Sequence, residues 1–329
     1  NRRSLVLGAS AGVLASPFIR LRPANAAEFT MKLANNQPLE HPTNIRAAEA
    51  VKAIAEQSDG RVDVQVFPSN QLGADTDVLS QLRAGGVEFF LLSPVILSTL
   101  VPNASINGIG FAFPDYDAVW KAMDGELGAY ERGQIEDAGL VVMEKIWDNG
   151  FRQTTTSTKP IEGPADLEGF KIRVPVSPLW TSMFKAFKSA PASINFAEVY
   201  TALQTGVIDG QDNPLPNDKA MKFYEVTDQI VLTGHNVGFG ILVMSSDVFD
   251  KLTDEQKDRV KAAARKAFAS STEEYLKQEQ ELVDFFKGEG LDIYKPDVKA
   301  FQDFAQEKYK SSPLSKSWPE GMLDKINAL

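Results

Sequence analysis

Between Arg61 and Phe67 the residues Val62, Val64 and Val66 alternate with polar neighbours, a period of two that predicts a strand with one buried face. Phe29 to Ala34 reads as an earlier strand. Between the two, Ile45, Ala48, Val51 and Ala55 recur at helical spacing up to about Ser58, where Asp59-Gly60 stops the helix. A second helix is predicted from about Asp75 to Ala84. Gly85-Gly86 breaks it, and the apolar run Val87 to Leu92 follows as a strand covered on both faces. Strand, helix, strand, helix, strand is the opening of a parallel α/β unit.

A long helix is predicted over Tyr116 to Ala138 and a strand over Leu140 to Trp147. The alternation restarts near Arg152, with a strand Lys171 to Val174, helices over about Leu179 to Lys188 and Phe196 to Gln204, and a short strand Val207 to Asp209. Gly238 to Ser245 is a further apolar strand that suits either half. Thr253-Asp254-Glu255-Gln256 fits a capping box and opens a helix to about Lys287, after which Leu291 to Tyr294 and a helical region close the chain. Two α/β lobes with more than one crossover leave a cleft at the carboxyl ends of their strands, where such sheets bind ligands. No Pro/Ser-rich linker separates them, which favours intertwined lobes.

Length agrees, since 329 residues exceed what one compact core usually organises. Arg2-Arg3-Ser4-Leu5-Val6-Leu7-Gly8 opens a weakly apolar run to about Ile19, and Ala24-Asn25-Ala26 supplies a small-x-small cleavage site. Residues 1–26 therefore read as a twin-arginine-type export signal, and the expected compartment is the periplasm. Cysteine is absent, which excludes a thiol nucleophile and every thiolate metal site. The segment 1–26 holds four arginines and no acid, so its removal takes the formal charge from -10 to -14. Nucleic acid and anionic lipid are poor partners for such a surface. No segment approaches a membrane span in length and hydrophobicity. An anionic ligand would need a few cations placed inside a cleft.

Histidine occurs only at 41 and 235, outside metal-ligand spacing, and G-x-G-x-x-G, P-loop and G-x-S-x-G motifs are missing. No metal, no cofactor and no enzymatic chemistry are expected. A periplasmic lyase or isomerase would need a general base beside its anion site, and no residue stands out for that role.

Five segments, read together, resemble one family. They are Val66-Phe67-Pro68-Ser69-Asn70-Gln71-Leu72-Gly73, Asn149-Gly150-Phe151-Arg152-Gln153, Lys171-Ile172-Arg173-Val174-Pro175, Phe196 to Gly206, and Gly210-Gln211-Asp212-Asn213-Pro214. Their order and spacing are similar to those of the substrate-binding subunit of tripartite ATP-independent periplasmic (TRAP) transporters, of the dicarboxylate-receptor (DctP) type. The resemblance implies two α/β lobes joined by crossing strands, a long helix bracing both, and delivery of a small organic acid to a membrane permease. It implies lobes of 27–149 with 239–278 and 150–238 with 279–329, and a monomer by default. An extracytoplasmic sensor subunit is the competing role.

The resemblance also places the site. Arg173 matches the family arginine that clamps the ligand carboxylate, and a guanidinium suits the task because its planar fork meets two carboxylate oxygens at once. Arg152 matches a second arginine that reaches the same carboxylate or the hinge. Asn213 matches an amide donor, Phe196 an aromatic beside the ligand and Asn36 a polar position at the end of the first strand. For Arg173 the plain alternative is a structural pair with a neighbouring acid, for Arg152 a structural role, and for Asn213 a turn before proline. Ser93, Val176 and Gly240 stand where receptors for sugar acids hold hydroxyls. Trp180, Phe239 and Trp147 are candidates for a flat wall, or for the core. A cleft with few polar partners favours an apolar or aromatic monocarboxylate, or a short hydroxy or keto acid, with a C4-dicarboxylate or a sugar acid as alternatives.

Overall fold

The structure is a computed structural model that describes residues 27–143, 147–311 and 318–327. The export signal expected over 1–26 lies outside the described residues. The strands are β1 Phe29–Ala34, β2 Val62–Phe67, β3 Phe89–Leu92, β4 Leu140–Val142, β5 Trp147–Thr156, β6 Ile172–Val174, β7 Ala192–Ser193, β8 Gly210–Pro214, β9 Gln229–Ser245 and β10 Asp292–Tyr294.

They form two sheets that share one strand. In the first lobe β2, β1 and β3 run parallel, and β9 joins β3 and β4 as an antiparallel neighbour. In the second lobe β10 and β5 flank the other half of β9, and β8, β6 and β7 follow in order from β5. The apolar strand expected at 238–245 is thus the end of a 17-residue strand that belongs to both sheets. Its partner β5 shifts register between Asp148 and Phe151 and again between Arg152 and Thr154. Such bulges bend a strand and re-aim its side chains, and here they lie beside Arg152.

The first lobe follows its hydrophobic pattern in β1, β2 and β3, but the first helix buries Ala47 and Ile54, whereas Ile45 and Ala48 of the expected face are exposed. Helix Pro42–Gln57 starts at a capping His41, and helix Asp75–Arg83 buries Val78, Leu79 and Leu82. Helix Asp254–Gly288 has the expected capping box between Thr253 and Gln256. At about 1.5 Å per residue it spans about 50 Å, and it packs against both helix Pro42–Gln57 and helix Leu215–Ala220, one from each lobe. No helix among the described residues is long and apolar enough to cross a membrane.

Three expectations are corrected. The single helix over 116–138 is two, Tyr116–Met123 and Glu126–Asp137. Gly125 caps the second with extended backbone, and a Cβ on Gly128 would strike the carbonyl of Met123, so the chain turns where side chains are missing. The single strand over 140–147 is the pair β4 and β5. The short strand expected over 207–209 is β8, three residues later. All five residues of β8 are buried although three are polar, and apolar periodicity cannot reveal a strand whose interior partners are hydrogen bonds.

Candidate functional site

β8 lies between β5 and β6, so side chains of three adjacent strands converge beneath the cleft. Successive side chains on a strand point to opposite faces. Gln211 and Asn213 accordingly turn one way and Asp212 the other.

On the Asp212 side, Arg152 Nε donates to Asp212 Oδ2 at 2.6 Å, and an Arg152 terminal nitrogen donates to the Asp212 backbone oxygen. His235 Nε2 lies 3.1 Å from the same Oδ2, and its Nδ1 lies 2.7 Å from Thr233 Oγ1. Burial is the largest influence on Asp212 and pushes its carboxyl up, but Arg152 and His235 together outweigh it and hold the group below the usual carboxylate range. Arg152 also stacks over Trp180, 4.6 Å from the ring centroid.

On the other side runs a chain of amides. Asn213 Nδ2 donates to Gln211 Oε1, and Gln211 Nε2 donates to Thr155 Oγ1 and Asp218 Oδ1, each at 2.8 Å. Burial pushes Asp218 well above the usual carboxylate range, with the Gln211 amide opposing it.

Arg173 is the middle residue of β6 and is only 3% exposed. Its Nε donates to the Ile194 carbonyl at 2.8 Å, and its guanidinium carbon lies 5.9 Å from the Phe196 ring centroid. The two terminal nitrogens make no hydrogen bond among the described residues. Burial, reinforced by the charge of Arg152, brings its pKa down to about 10.

The first lobe closes the cleft with polar groups. Asn36 and Asn70 donate to the two oxygens of Asp75 at 2.9 and 3.0 Å, while burial raises the Asp75 pKa against them. Asp148, the second residue of β5, accepts from the Gly150 N–H at 2.9 Å. The hollow measures about 640 Å³ to its open mouth.

Of the residues singled out in the sequence, Arg173, Arg152, Asn213, Phe196, Asn36 and Ser93 all line this one cleft. Trp180 does not supply its wall: the ring is fully buried behind Arg152, 5.7 Å from the His235 ring. The side chains of Phe239 and Trp147 lie outside the described residues. The sequence reading missed Asp75, Asp148, Asn149, Thr43 and Asn217 on the cleft wall, and Asp212 and His235 beneath it. Reading Gly210 to Pro214 as a strand would have found Asp212, one position from Asn213 and hence on the opposite face.

A profile of the family described as bacterial extracellular solute-binding protein, family 7 (DctP), matches residues 33–315. The chain is 33% identical over 257 residues to the sialic acid-binding periplasmic protein SiaP of Vibrio cholerae, covering 78% of this chain and 80% of that one. It is 36% identical over 267 residues to protein y4mM of Sinorhizobium fredii, where the match covers 80% of this chain and about half (49%) of that longer relative. Among solved structures, a TRAP periplasmic solute-binding protein from Roseobacter denitrificans with bound 3-deoxy-D-manno-oct-2-ulosonic acid superimposes with a TM-score of 0.85 at 34% identity, over 91% of this chain and 99% of that one. One from Sulfurospirillum deleyianum with bound succinate superimposes with a TM-score of 0.86 at 29% identity, over 92% and 99%. With the family profile spanning most of its length and both lobes superimposing on solved members, this chain belongs to the family 7 extracellular solute-binding proteins, the substrate-binding subunits of TRAP transporters.

Proposed function

We propose that the protein is a periplasmic receptor that shuts around a hydroxylated organic acid, holds the carboxylate on Arg173, and delivers it to a TRAP membrane permease. The observation that carries this reading is the state of Arg173, a buried guanidinium whose terminal nitrogens open into the cleft with no acceptor among the described residues. An isolated buried cation is unfavourable, and a carboxylate that accepts two charge-assisted hydrogen bonds relieves it. Asn213 stands beside the same space as an amide partner.

The opposite wall supports a ligand with hydroxyls. Asp75, Asp148, Asn36 and Asn149 line it, and ligand hydroxyls can exchange hydrogen bonds with these carboxylates and amides where an aromatic ring cannot. That favours a short hydroxy acid or a sugar acid over the apolar monocarboxylate suggested by the sequence. A C4-dicarboxylate is less favoured because Arg152, the cation for a second carboxylate, is already neutralised by Asp212 at 2.6 Å. We take the lobes to divide as 27–149 with 239–278 and 150–238 with 279–329. In support, β5 changes register between Asp148 and Phe151.

The test is a thermal-shift screen of the protein and its Arg173→Ala variant against hydroxylated, dicarboxylic and aromatic acids. Stabilisation by hydroxylated acids that vanishes in the variant is expected. A larger shift from an aromatic acid overturns the ligand class, and shifts indifferent to Arg173 overturn the clamp.

A further inference from the structure

His41 and Asn217 are 176 positions apart in the chain, yet His41 Nε2 lies 2.9 Å from Asn217 Oδ1 and both residues are buried. His41 caps the helix that packs on the first sheet, and Asn217 belongs to the helix that directly follows β8 in the second. The pair therefore bridges the two lobes at the edge of the cleft, whose wall includes Asn217 and Thr43.

The direction of each hydrogen bond is fixed. His41 Nδ1 accepts from the Thr43 backbone N–H at 3.3 Å, so the ring proton is on Nε2 and is donated to Asn217 Oδ1. Asn217 then has its amide nitrogen free to face Asn213 Oδ1, at 3.4 Å, and Asn213 donates in turn to Gln211. The chain of donors runs one way, from the first lobe into the amide that lines the ligand site.

We propose that His41 is a positioning residue that, by donating across the shut cleft to Asn217, orients the Asn213 amide for the ligand and favours the closed form. This rests on the receptor reading above, because it assumes that the lobes part when the cleft is empty. Closure then requires the neutral imidazole, since a second ring proton would point at the Thr43 N–H and remove the helix cap.

The surroundings leave His41 to act as the titrating group of this bridge. Burial brings its pKa down to about 4 in the closed form, with the Asn217 hydrogen bond opposing. Of the charged groups on the elements that meet there, Glu40 is exposed, Arg46 pairs with Glu49, Lys219 lies over the Phe285 ring and Asp218 turns to Gln211. Asp75 and Arg173 face the cleft from the two walls.

With the lobes parted, the imidazole regains its ordinary value near 6.5 and takes up a proton as pH falls. Closure, and with it ligand affinity, is therefore full above pH 7 and weakens as pH drops toward 4. Between pH 7.5 and 5.5 the expected loss is about tenfold, the fraction by which protonation of the open form outruns that of the closed form.

Two measurements test this. The first is calorimetric titration with 3-deoxy-D-manno-oct-2-ulosonic acid at both pH values, for the native protein and for His41→Gln, whose amide keeps a donor but does not titrate. The native protein should lose affinity about tenfold on acidification and the variant should stay flat. The second needs no ligand. Ser98 and Ser177 face each other across the lobes at 3.5 Å between hydroxyl oxygens, and the chain has no cysteine of its own. The rate at which Ser98→Cys/Ser177→Cys is joined by a pyridyl disulfide reads closure directly, and comparing backgrounds with and without His41→Gln at each pH cancels the thiol chemistry. The proposal is overturned if the His41→Gln background crosslinks with the same pH dependence as the native one. Failure of the sugar acid to bind, with crosslinking still sensitive to His41, would count against the ligand class alone.

Discussion

Arg152 Nε and Asp212 Oδ2 meet at 2.6 Å with both residues buried, so each charge exists in the interior only because the other does. Removing one partner of such a pair costs about 3 kcal/mol or more, because the remaining charge is desolvated and unmatched. Asp212→Asn is expected to lower unfolding stability by about that amount in urea titrations at pH 7. The sign with pH follows from the depressed carboxyl: its stabilisation is complete above the ordinary value near 3.8 and is lost as pH falls below it. The native protein should therefore lose stability below about pH 4, and Asp212→Asn should lose less over the same interval.

Arg173 has the opposite energetics when the cleft is empty. Without an anion the buried guanidinium is destabilising, so Arg173→Ala is expected to abolish binding while raising the melting temperature of the empty protein by about 2 to 4 °C, the shift of roughly 1 kcal/mol. Arg173→Lys keeps the charge but not the fork, and should weaken binding about 10- to 100-fold. Calorimetry and thermal melts on the same preparations separate the two effects.

Glu131 is buried away from the cleft and accepts the Asn107 N–H at 2.8 Å. Burial pushes its carboxyl well above the usual range, with the backbone donors opposing. A raised carboxyl binds its proton more tightly in the folded state, so stability is fullest below about pH 4.5 and falls as pH rises toward the folded value. Glu131→Gln should flatten that decline in denaturation curves taken from pH 5 to 9. Glu131→Ala, which leaves the Asn107 N–H without its acceptor, should cost about 1 to 3 kcal/mol at every pH.

The break between helices Tyr116–Met123 and Glu126–Asp137 depends on a missing side chain. A Cβ on Gly128 would overlap the Met123 carbonyl, which is backbone and cannot swing aside. Gly128→Ala is expected to destabilise by about 2 kcal/mol, read as a lower denaturation midpoint with an unchanged slope. Gly133→Ala on the same helix has open space around it and should be neutral or slightly stabilising.

Much of the fold was legible because local periodicity reports directly on which face of an element is covered. The alternation Val62, Val64, Val66 and the capping box at Thr253 and Gln256 each appear where expected. The helix break at Gly125 was not legible, since its cause is a steric contact and not a change in pattern. Nor was β8, whose Gln211, Asp212 and Asn213 read as a polar loop until β5 and β6 flank them. Within the cleft, Arg173, Arg152 and Asn213 were reachable because they sit in motifs. Asp75, Asp148 and Asn217 were not, because nothing near them in the chain distinguishes them from surface residues.

By itself the sequence determined the α/β alternation, the absence of thiol chemistry, the cations able to meet an anion and the family to which they belong. Tertiary structure alone decided that Arg152 is neutralised by Asp212, that Trp180 lies behind the site and not on its wall, and that His41 reaches Asn217 across the lobes. The reason is range: periodicity and capping act over a few residues, whereas these partners lie 60 and 176 positions apart and meet only when two sheets share a strand and the cleft between them closes.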